Sequence, residues 1–459
     1  MKHLGNKAED LKIAYIGGGS RGWAWGLMSD LAAKDVISGE VYLYDTNFKA
    51  AQDNEIVGNK SGGNFKYKAV EKIGDALTGA DFVIISILPG TFDEMESDVH
   101  APEKYGIYQS VGDTTGPGGV IRAMRTIPMY VSIAEAIKEF CPKAWIINYT
   151  NPMALCIATL YKVFPEVKAF GCCHEVFGTQ KVLCKMLDEM GITENLDRHE
   201  LRTIPVGINH FTWITSAYYK NTDLFPLYRE FVKKHKDNGI ESADKNWMNN
   251  FFGSAEVVKL ELFDKFGYIA AAGDRHLAEF CPGNWFLETP DTAHKWQFNL
   301  TPVSWRREDL EKRLEKSRKM ISGEMDFEHK PTGEEGVNQI CALLGLSELV
   351  TNVNIPNAGQ LSNVPLGTVV ETNAMFSGNS LVPVNSGEIP ENIYSIMAPA
   401  IANQNNILNG MFEKDLNLLF NAFVTDRLTD RLSLADAKEL FNTMLDNTRK
   451  YLPEWVTRI

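Results

Sequence analysis

At 459 residues, with 44% hydrophobic and 23% charged residues, the chain has the length of two large domains or three small ones and an ordinary globular composition, which excludes disordered, collagen-like and coiled-coil classes. Its formal net charge of −13 opposes broad contact with phosphate backbones or anionic lipid, so neither nucleic acid nor a membrane is an expected partner. No window nears the roughly 18 uninterrupted apolar residues of a spanning helix, and the start MKHLGNKAEDLK carries charges where a secretion signal needs its apolar stretch, so a cytoplasmic location is expected.

In chain order, Leu11 to Ile16 (LKIAYI) reads as a buried strand that stops at glycines, and RGWAWGLMSDLAAK follows with helical apolar spacing. VYLYD at 41–45, ADFVIIS at 80–86, AWIINY at 144–149 and VKAFGCC at 167–173 read as further strands, separated by segments able to form helices, such as VSIAEAIKEF at 131–140. These runs are continuously apolar, as strands buried on both faces must be, so the expected fold is α/β, a Rossmann-type doubly wound parallel sheet. From about residue 200 aromatics and longer polar loops increase, and a helix-rich end begins at Glu391, with Ser433 placed to start a helix. This gives a first domain over 1–200 and a second, α+β domain over 201–459.

The turn after the first strand is Gly17-Gly18-Gly19-Ser20-Arg21-Gly22, a G-x-G-x-x-G pattern in Gly17, Gly19 and Gly22. Glycines there let backbone amides approach a pyrophosphate at a helix N-terminus. Asp45 ends the second predicted strand 23 residues after Gly22, near the offset of the carboxylate that accepts ribose hydroxyls and repels a 2′-phosphate. NAD is therefore the expected cofactor. The stretch Val111 to Gly119 (VGDTTGPGG) reads as one long glycine-dense loop presenting Asp113, a candidate for proton transfer. Cys172, Cys173 and His174 follow a strand, and Asn209-His210 follows TIPVGI; a thiolate and an imidazole at two strand ends suit a divalent metal, while spacing alone also suits a buried cysteine pair beside a hydrogen-bonded histidine. Gly273-Asp274-Arg275-His276, with Tyr268 upstream, groups a base and an anion clamp. Seven cysteines of irregular spacing form no disulfide framework and suit a reducing compartment.

Taken together, IGGGSRGW, VGDTTGPGG, NYTNPMA, GCCHEV, GINHF, GDRHLAEF and NIPNAGQLSNVPLGTVVE, in this order over roughly residues 10 to 450, resemble the NAD- and manganese-dependent glycosidases of glycoside hydrolase family four, an exception to the two-carboxylate scheme of glycoside hydrolysis. The resemblance implies a lactate/malate dehydrogenase-like architecture, NAD on Gly17, Gly19 and Asp45, Mn2+ or another divalent metal on Cys173 and His210, and Asn151 against substrate hydroxyls. Where members acting on 6-phosphorylated α-glucosides carry Cys-Asp-Met-Pro, this chain has Cys173-His174-Glu175-Val176. That pattern is similar to the subgroup acting on unphosphorylated α-glycosides, closest to its α-galacturonidases, and it leaves His174 or Asp113 as the acid. The implied reaction oxidises the sugar at C3 with NAD, removes the C2 proton, eliminates the glycosidic oxygen, adds water and re-reduces C3. Asp274 is the base this reading selects, with Tyr268 or His276 as substitutes, and Arg275 and His276 would contact the substrate, Arg275 through the carboxylate of a uronate. A homo-oligomer is expected. The rivals are an NAD-dependent 2-hydroxyacid dehydrogenase, which needs no metal on Cys173 and His210 and accumulates NADH, and a nucleotide-sensing protein without catalysis.

Overall fold

The computed structural model describes residues 1–240 and 252–459. Its larger sheet has ten strands. β1 (Lys2–Leu4) pairs antiparallel with β2 (Lys7–Ile16); β3 (Ile37–Tyr44) and β4 (Phe65–Val70) run parallel on one side of β2, and β5 (Phe82–Ile85), β6 (Trp145–Asn148) and β7 (Lys168–Gly171) on the other. The order β4-β3-β2-β5-β6-β7 reverses its direction of growth between β2 and β5, and a doubly wound sheet binds its ligand outside the strand ends at that point. Alternate residues of β2 serve opposite faces: Ile13 and Tyr15 join a core with Trp25 and Leu43, whereas Ala14 and Ile16 join one with Val83, Tyr130 and Ile157. Burial on both faces explains the continuous apolar runs. All five strands read from the sequence in this half are present.

A second, antiparallel sheet begins at residue 201, with β8 (Leu201–Ile208), β9 (Phe211–Tyr219), β10 (Thr222–Asp223) and β11 (Ile269–Ala270). The chain then returns to the first sheet. β12 (Leu349–Pro356) lies antiparallel beside β7 through the pairing of Asn354 with Gly171, followed by β13 (Val369–Ser377) and β14 (Ser380–Pro383). Helices Glu391–Glu413, Leu416–Val424 and Leu434–Asn447 form the helical C-terminal end, and their apolar faces share a core with Val206, Phe211 and Trp213 of the second sheet. Ser433 caps the last of them, accepting the Asp436 amide at 3.1 Å. Among the described residues no helix is long and apolar enough to cross a membrane.

One buried ionic cluster ties the two halves and gives the fold a pH signature. The Glu335 side chain is fully buried, accepts from Arg198 and Asn338, and contacts His199 Nε2 at 2.7 Å. Burial alone would raise its carboxyl, but His199 and Arg198 hold it down at about 2, and Glu335 in turn raises the His199 imidazole. A depressed carboxyl stabilises the fold above its ordinary value of 4.5 and loses that contribution as pH falls towards 2. The raised imidazole stabilises below its ordinary 6.5 and loses its contribution as pH rises through the raised value. The Glu335→Gln variant should therefore lose stability at neutral pH and show a flattened acid limb below pH 4.5 in urea denaturation; an unchanged acid limb would show that the cluster carries no pH dependence.

Candidate active site

The glycine turn lies at the reversal point. Gly17 has φ +94°, and a Cβ there would sit 2.0 Å from the Ser86 carbonyl oxygen beyond β5, so only glycine fits. Gly17 and Gly18 donate to the Tyr44 carbonyl at 2.9 Å, and the Gly19 amide donates to Asp45 Oδ2 at 2.9 Å. A Cβ on Gly19 would meet that same oxygen at 2.8 Å. Ser20 Oγ accepts the Trp23 amide at 3.2 Å at the start of helix Trp23–Ala32, which follows Gly22. The five residues expected to hold a dinucleotide thus share one cradle of backbone amides and a carboxylate. Asn54, fully buried, fixes the turn by donating to the Gly18 and Ser20 carbonyls at 2.8 and 2.9 Å while accepting from Trp25 Nε1.

A second constellation gathers around His210. β8 and β9 pair Ile208 with Phe211, leaving Asn209-His210 as a two-residue hairpin turn with His210 in the left-handed region at φ +66°. Its imidazole stacks on that of His276, centroids 3.6 Å apart. Thr114 Oγ1 bridges His210 Nδ1 at 2.9 Å and Asp113 Oδ1 at 2.6 Å, and Asn151 Nδ2 lies 3.4 Å from Asp113 Oδ2. The donor atoms of Asp113, His210 and His276 lie within 4.8 Å of one another. The expected loop over Val111 to Gly119 is shorter than its glycines suggest. Helix Gly116–Phe140 starts inside it, and the loop that remains is pinned by buried acceptors: Glu279 takes the Val111 and Gly112 amides, Asp426 the Gly116 amide and Gln109 the Gly118 amide. A Cβ on Gly119 would lie 2.5 Å from the Thr114 carbonyl carbon. Gly119 thus serves close approach of the helix to Thr114, whereas Gly112 and Gly116, at φ +73° and +72°, serve the turn of the backbone.

Burial and the stacked His276 push His210 down to about 3, and burial likewise lowers His276, so both imidazoles are neutral at pH 7. Burial opposes ionisation of Asp113, yet His276, His210 and Arg122 keep its carboxyl below the ordinary value. Glu175 opens helix Glu175–Glu189, accepts the Gly273 amide at 2.5 Å and lies 3.7 Å from His276 Nε2 and 3.8 Å from His174 Nε2. Against its burial, these histidines hold it at about 2. His174 Nδ1 is 2.9 Å from Glu334. His276 Nδ1 is buried with no hydrogen-bond partner among the described residues. An anionic carboxylate and two neutral imidazoles, one of them with an orphaned ring nitrogen, form a donor set suited to a divalent transition metal.

One cleft of about 1090 Å³ runs from Gly17, Gly19 and Asp45 past Asn151 and His174 to Asp113, His210 and His276. Asp274 and Arg275 also line it, but their polar atoms are largely occupied. Both Asp274 oxygens accept backbone amides, from Val258 at 3.2 Å and Lys259 at 3.0 Å, so this carboxylate, raised by burial and by Glu256, caps helix Val257–Phe266. Arg275 donates from Nε to the Asn299 carbonyl and from Nη2 to the Ser110 carbonyl and Thr301 Oγ1. Tyr268 packs in the second core, edge-on to Phe225, and does not line the cleft. Cys173 is buried in the core that holds Met153 and Val369, outside the three-donor group; burial and Glu371 keep its thiol well above the ordinary value.

The sequence profile described as Family 4 glycosyl hydrolase matches residues 12–189, and that of the family's C-terminal domain matches residues 205–429. The chain belongs to glycosyl hydrolase family 4. Within the family it is 59% identical to an α-galacturonidase of Thermoanaerobacterium saccharolyticum, over 99% of each chain, and 50% identical to an α-galacturonidase of Bacillus subtilis, over 97% of this chain and 99% of that one. The crystal structure of the Bacillus subtilis protein lplD, described as a glucosidase, superposes with TM-score 0.91 at 49% identity, covering 95% of this chain and all of the other. A 6-phospho-α-glucosidase from gut microorganisms, solved with NAD and Mn2+, shares the fold at TM-score 0.80 and 18% identity, over 98% of this chain and 99% of the other.

In this family 4 glycosyl hydrolase several cleft residues carry no isolated sequence signal. Glu175 stands beside His174 in the Cys-His-Glu-Val pattern, but only the fold shows it facing three histidines. Arg122 and Arg306 reach the cleft from helices Gly116–Phe140 and Val303–Ser322, where a lone arginine looks like any surface cation. Lys259, 1% exposed and 2.5 Å from Glu256, is equally silent in the sequence.

Proposed function

We propose that this enzyme is an α-galacturonidase that hydrolyses unphosphorylated α-galacturonides with NAD and a divalent metal, manganese being the first choice. The observation that carries this reading is the single cleft joining the dinucleotide cradle at Gly17, Gly19 and Asp45 to the donor cluster Asp113, His210 and His276; the α-galacturonidase relatives support the sugar. When bound, NAD supplies a reversible oxidant for the sugar's C3 and the cation a Lewis acid for its oxygens. The Gly17 to Gly22 turn and Asp45 hold the dinucleotide, with the ribose hydroxyls on Asp45. His210, Asp113 and His276 hold the metal, and on the family resemblance Cys173 joins them as the thiolate. Asn151 positions the sugar hydroxyls beside Asp113. His174, its ring oriented by Glu334 and facing the cleft, handles the proton at C2 and at the leaving oxygen, a role for which Asp274, committed to capping a helix, is the weaker choice.

Omitting NAD or manganese from the dialysed enzyme tests the reading: release of 4-nitrophenol from its α-galacturonide should stop and return only with both. Undiminished release without either would reject it, and accumulation of NADH from a hydroxyacid would favour the dehydrogenase. For the thiolate, Cys173→Ser should weaken manganese affinity by at least the roughly 10–100-fold that loss of a ligand-supporting residue costs; unchanged affinity would restrict the metal to Asp113, His210 and His276. We further assign residues 1–200 to the dinucleotide and 201–459 to metal, substrate and subunit contacts. The setting is a cytoplasmic homo-oligomer, supported by seven buried free cysteines and by the exposed apolar row Val350, Met375 and Val382 across β12 to β14.

A further inference from the structure

Helix Val303–Ser322 lies along the cleft and presents Arg306, Asp309, Leu310 and Arg313 to it, the i, i+3, i+4 and i+7 positions of one face. Arg313 marks the cofactor end, with Nη1 3.4 Å from the Arg21 carbonyl in the glycine turn. Arg306 is seven residues earlier, about 10 Å along the axis. It therefore stands at the far end, where Asp113, Arg122 and Arg275 are charged neighbours, together with Asp309 and Arg313 of its own helix. Its Nε is buried without a hydrogen-bond partner, and among the described residues the side chain makes no ion pair. Arg275, which contacts the same Phe252 ring, differs: its guanidinium is held by two carbonyls and a hydroxyl, and its centre lies 4.2 Å from the ring centroid, against 4.3 Å for Arg306. Phe252 thus backs a guanidinium whose Nε, among the described residues, has no hydrogen-bond partner.

A desolvated cation whose neighbouring carboxylates, Asp113 and Asp309, form no ion pair with it is costly unless a ligand supplies one. The guanidinium fork matches a carboxylate in two parallel hydrogen bonds. Resting on the α-galacturonidase reading, we propose that Arg306 is the specificity-determining residue that pairs with the C6 carboxylate of the uronate, with Arg122 as the second cation. Arg122 is suited to this because only its Nε is engaged, with the Asn151 carbonyl at 3.1 Å, while its other nitrogens meet no acceptor among the described residues. The same pair explains a preference for a planar carboxylate over the hydroxymethyl group of a neutral galactoside, which would leave both cations desolvated and unpaired.

The test uses the enzyme loaded with NAD and manganese, titrated calorimetrically with galacturonic acid and assayed on 4-nitrophenyl α-galacturonide. Arg306→Gln should weaken galacturonic acid binding about 100-fold, the scale of truncating one side of a buried charge pair. The loss of activity should fall on KM more than on kcat, NAD affinity should be kept, and Arg306→Lys should recover part of the binding. Wild-type affinity for galacturonic acid in Arg306→Gln would overturn the assignment. A parallel loss of NAD affinity would also overturn it and move the guanidinium to the cofactor phosphates. A wild-type enzyme that binds galacturonic acid but does not cleave the galacturonide would instead refute the α-galacturonidase reading, leaving the effect of Arg306 on binding to be read separately.

Discussion

Replacing His210 by alanine is expected to remove bound manganese and stop turnover while leaving the dinucleotide site filled. His210 is the residue on which the donor cluster is built: the hairpin turn fixes its backbone, Thr114 holds Nδ1 at 2.9 Å, and His276 packs flat on its ring. Removing a ligand should lower metal affinity by more than about 100-fold, the upper end for residues that merely support ligands. Because the glycine turn sits at the other end of the cleft and is held by Asn54 and Tyr44, NAD affinity should be unchanged. Metal analysis after gel filtration, beside an NAD titration, reads both quantities. A His210→Ala protein that keeps stoichiometric manganese would remove this histidine from the metal site.

The largest stability effect is expected at Asp98. Its carboxylate receives two hydrogen bonds from Arg125, at 3.0 and 2.5 Å, and both side chains are essentially without solvent contact. The pair joins helix Phe92–His100 to helix Gly116–Phe140, whose N-terminus carries the Asp113 loop. Asp98→Ala leaves a buried guanidinium unpaired and should cost about 3–5 kcal/mol, whereas replacing both partners by apolar residues of similar volume should recover most of that loss. Thermal unfolding of the single and double variants measures the difference. A single variant as stable as the wild type would show that Arg125 finds another partner.

How much of this was legible in the sequence depends on which physical signal each part carries. The parallel strands from LKIAYI to VKAFGCC announce themselves because burial on both faces demands unbroken apolar runs. The three strands from 349 to 383 do not: Asn352, Asn354, Glu371 and Thr372 are buried in them and erase the apolar pattern, Asn352 and Glu371 being hydrogen-bonded to each other across the sheet and to the Cys173 carbonyl and Thr212. The dinucleotide turn was readable for a local reason, since Gly17 and Gly19 answer to steric contacts within one strand-turn-helix unit. His210 and His276 were visible as residue types, but their stacking depends on a hairpin and a helix distant in sequence. Asp274 and Arg275 look catalytic in a string of letters, and only the fold shows how their polar atoms are engaged, by two amides for one and by two carbonyls and a hydroxyl for the other. Arg306 has no sequence mark at all; what distinguishes it is a buried Nε that has no partner among the described residues.

On the proposed mechanism this cleft breaks the glycosidic bond by taking a proton from C2 of the sugar and later returning one. Hydrolysis of 4-nitrophenyl α-galacturonide in D2O, followed by proton NMR of the released galacturonic acid, tests it in one step. Deuterium at C2 of the product is the expected result, delivered from a side chain that exchanges with solvent. A product that retains its full C2 proton, formed at an undiminished rate, would contradict it.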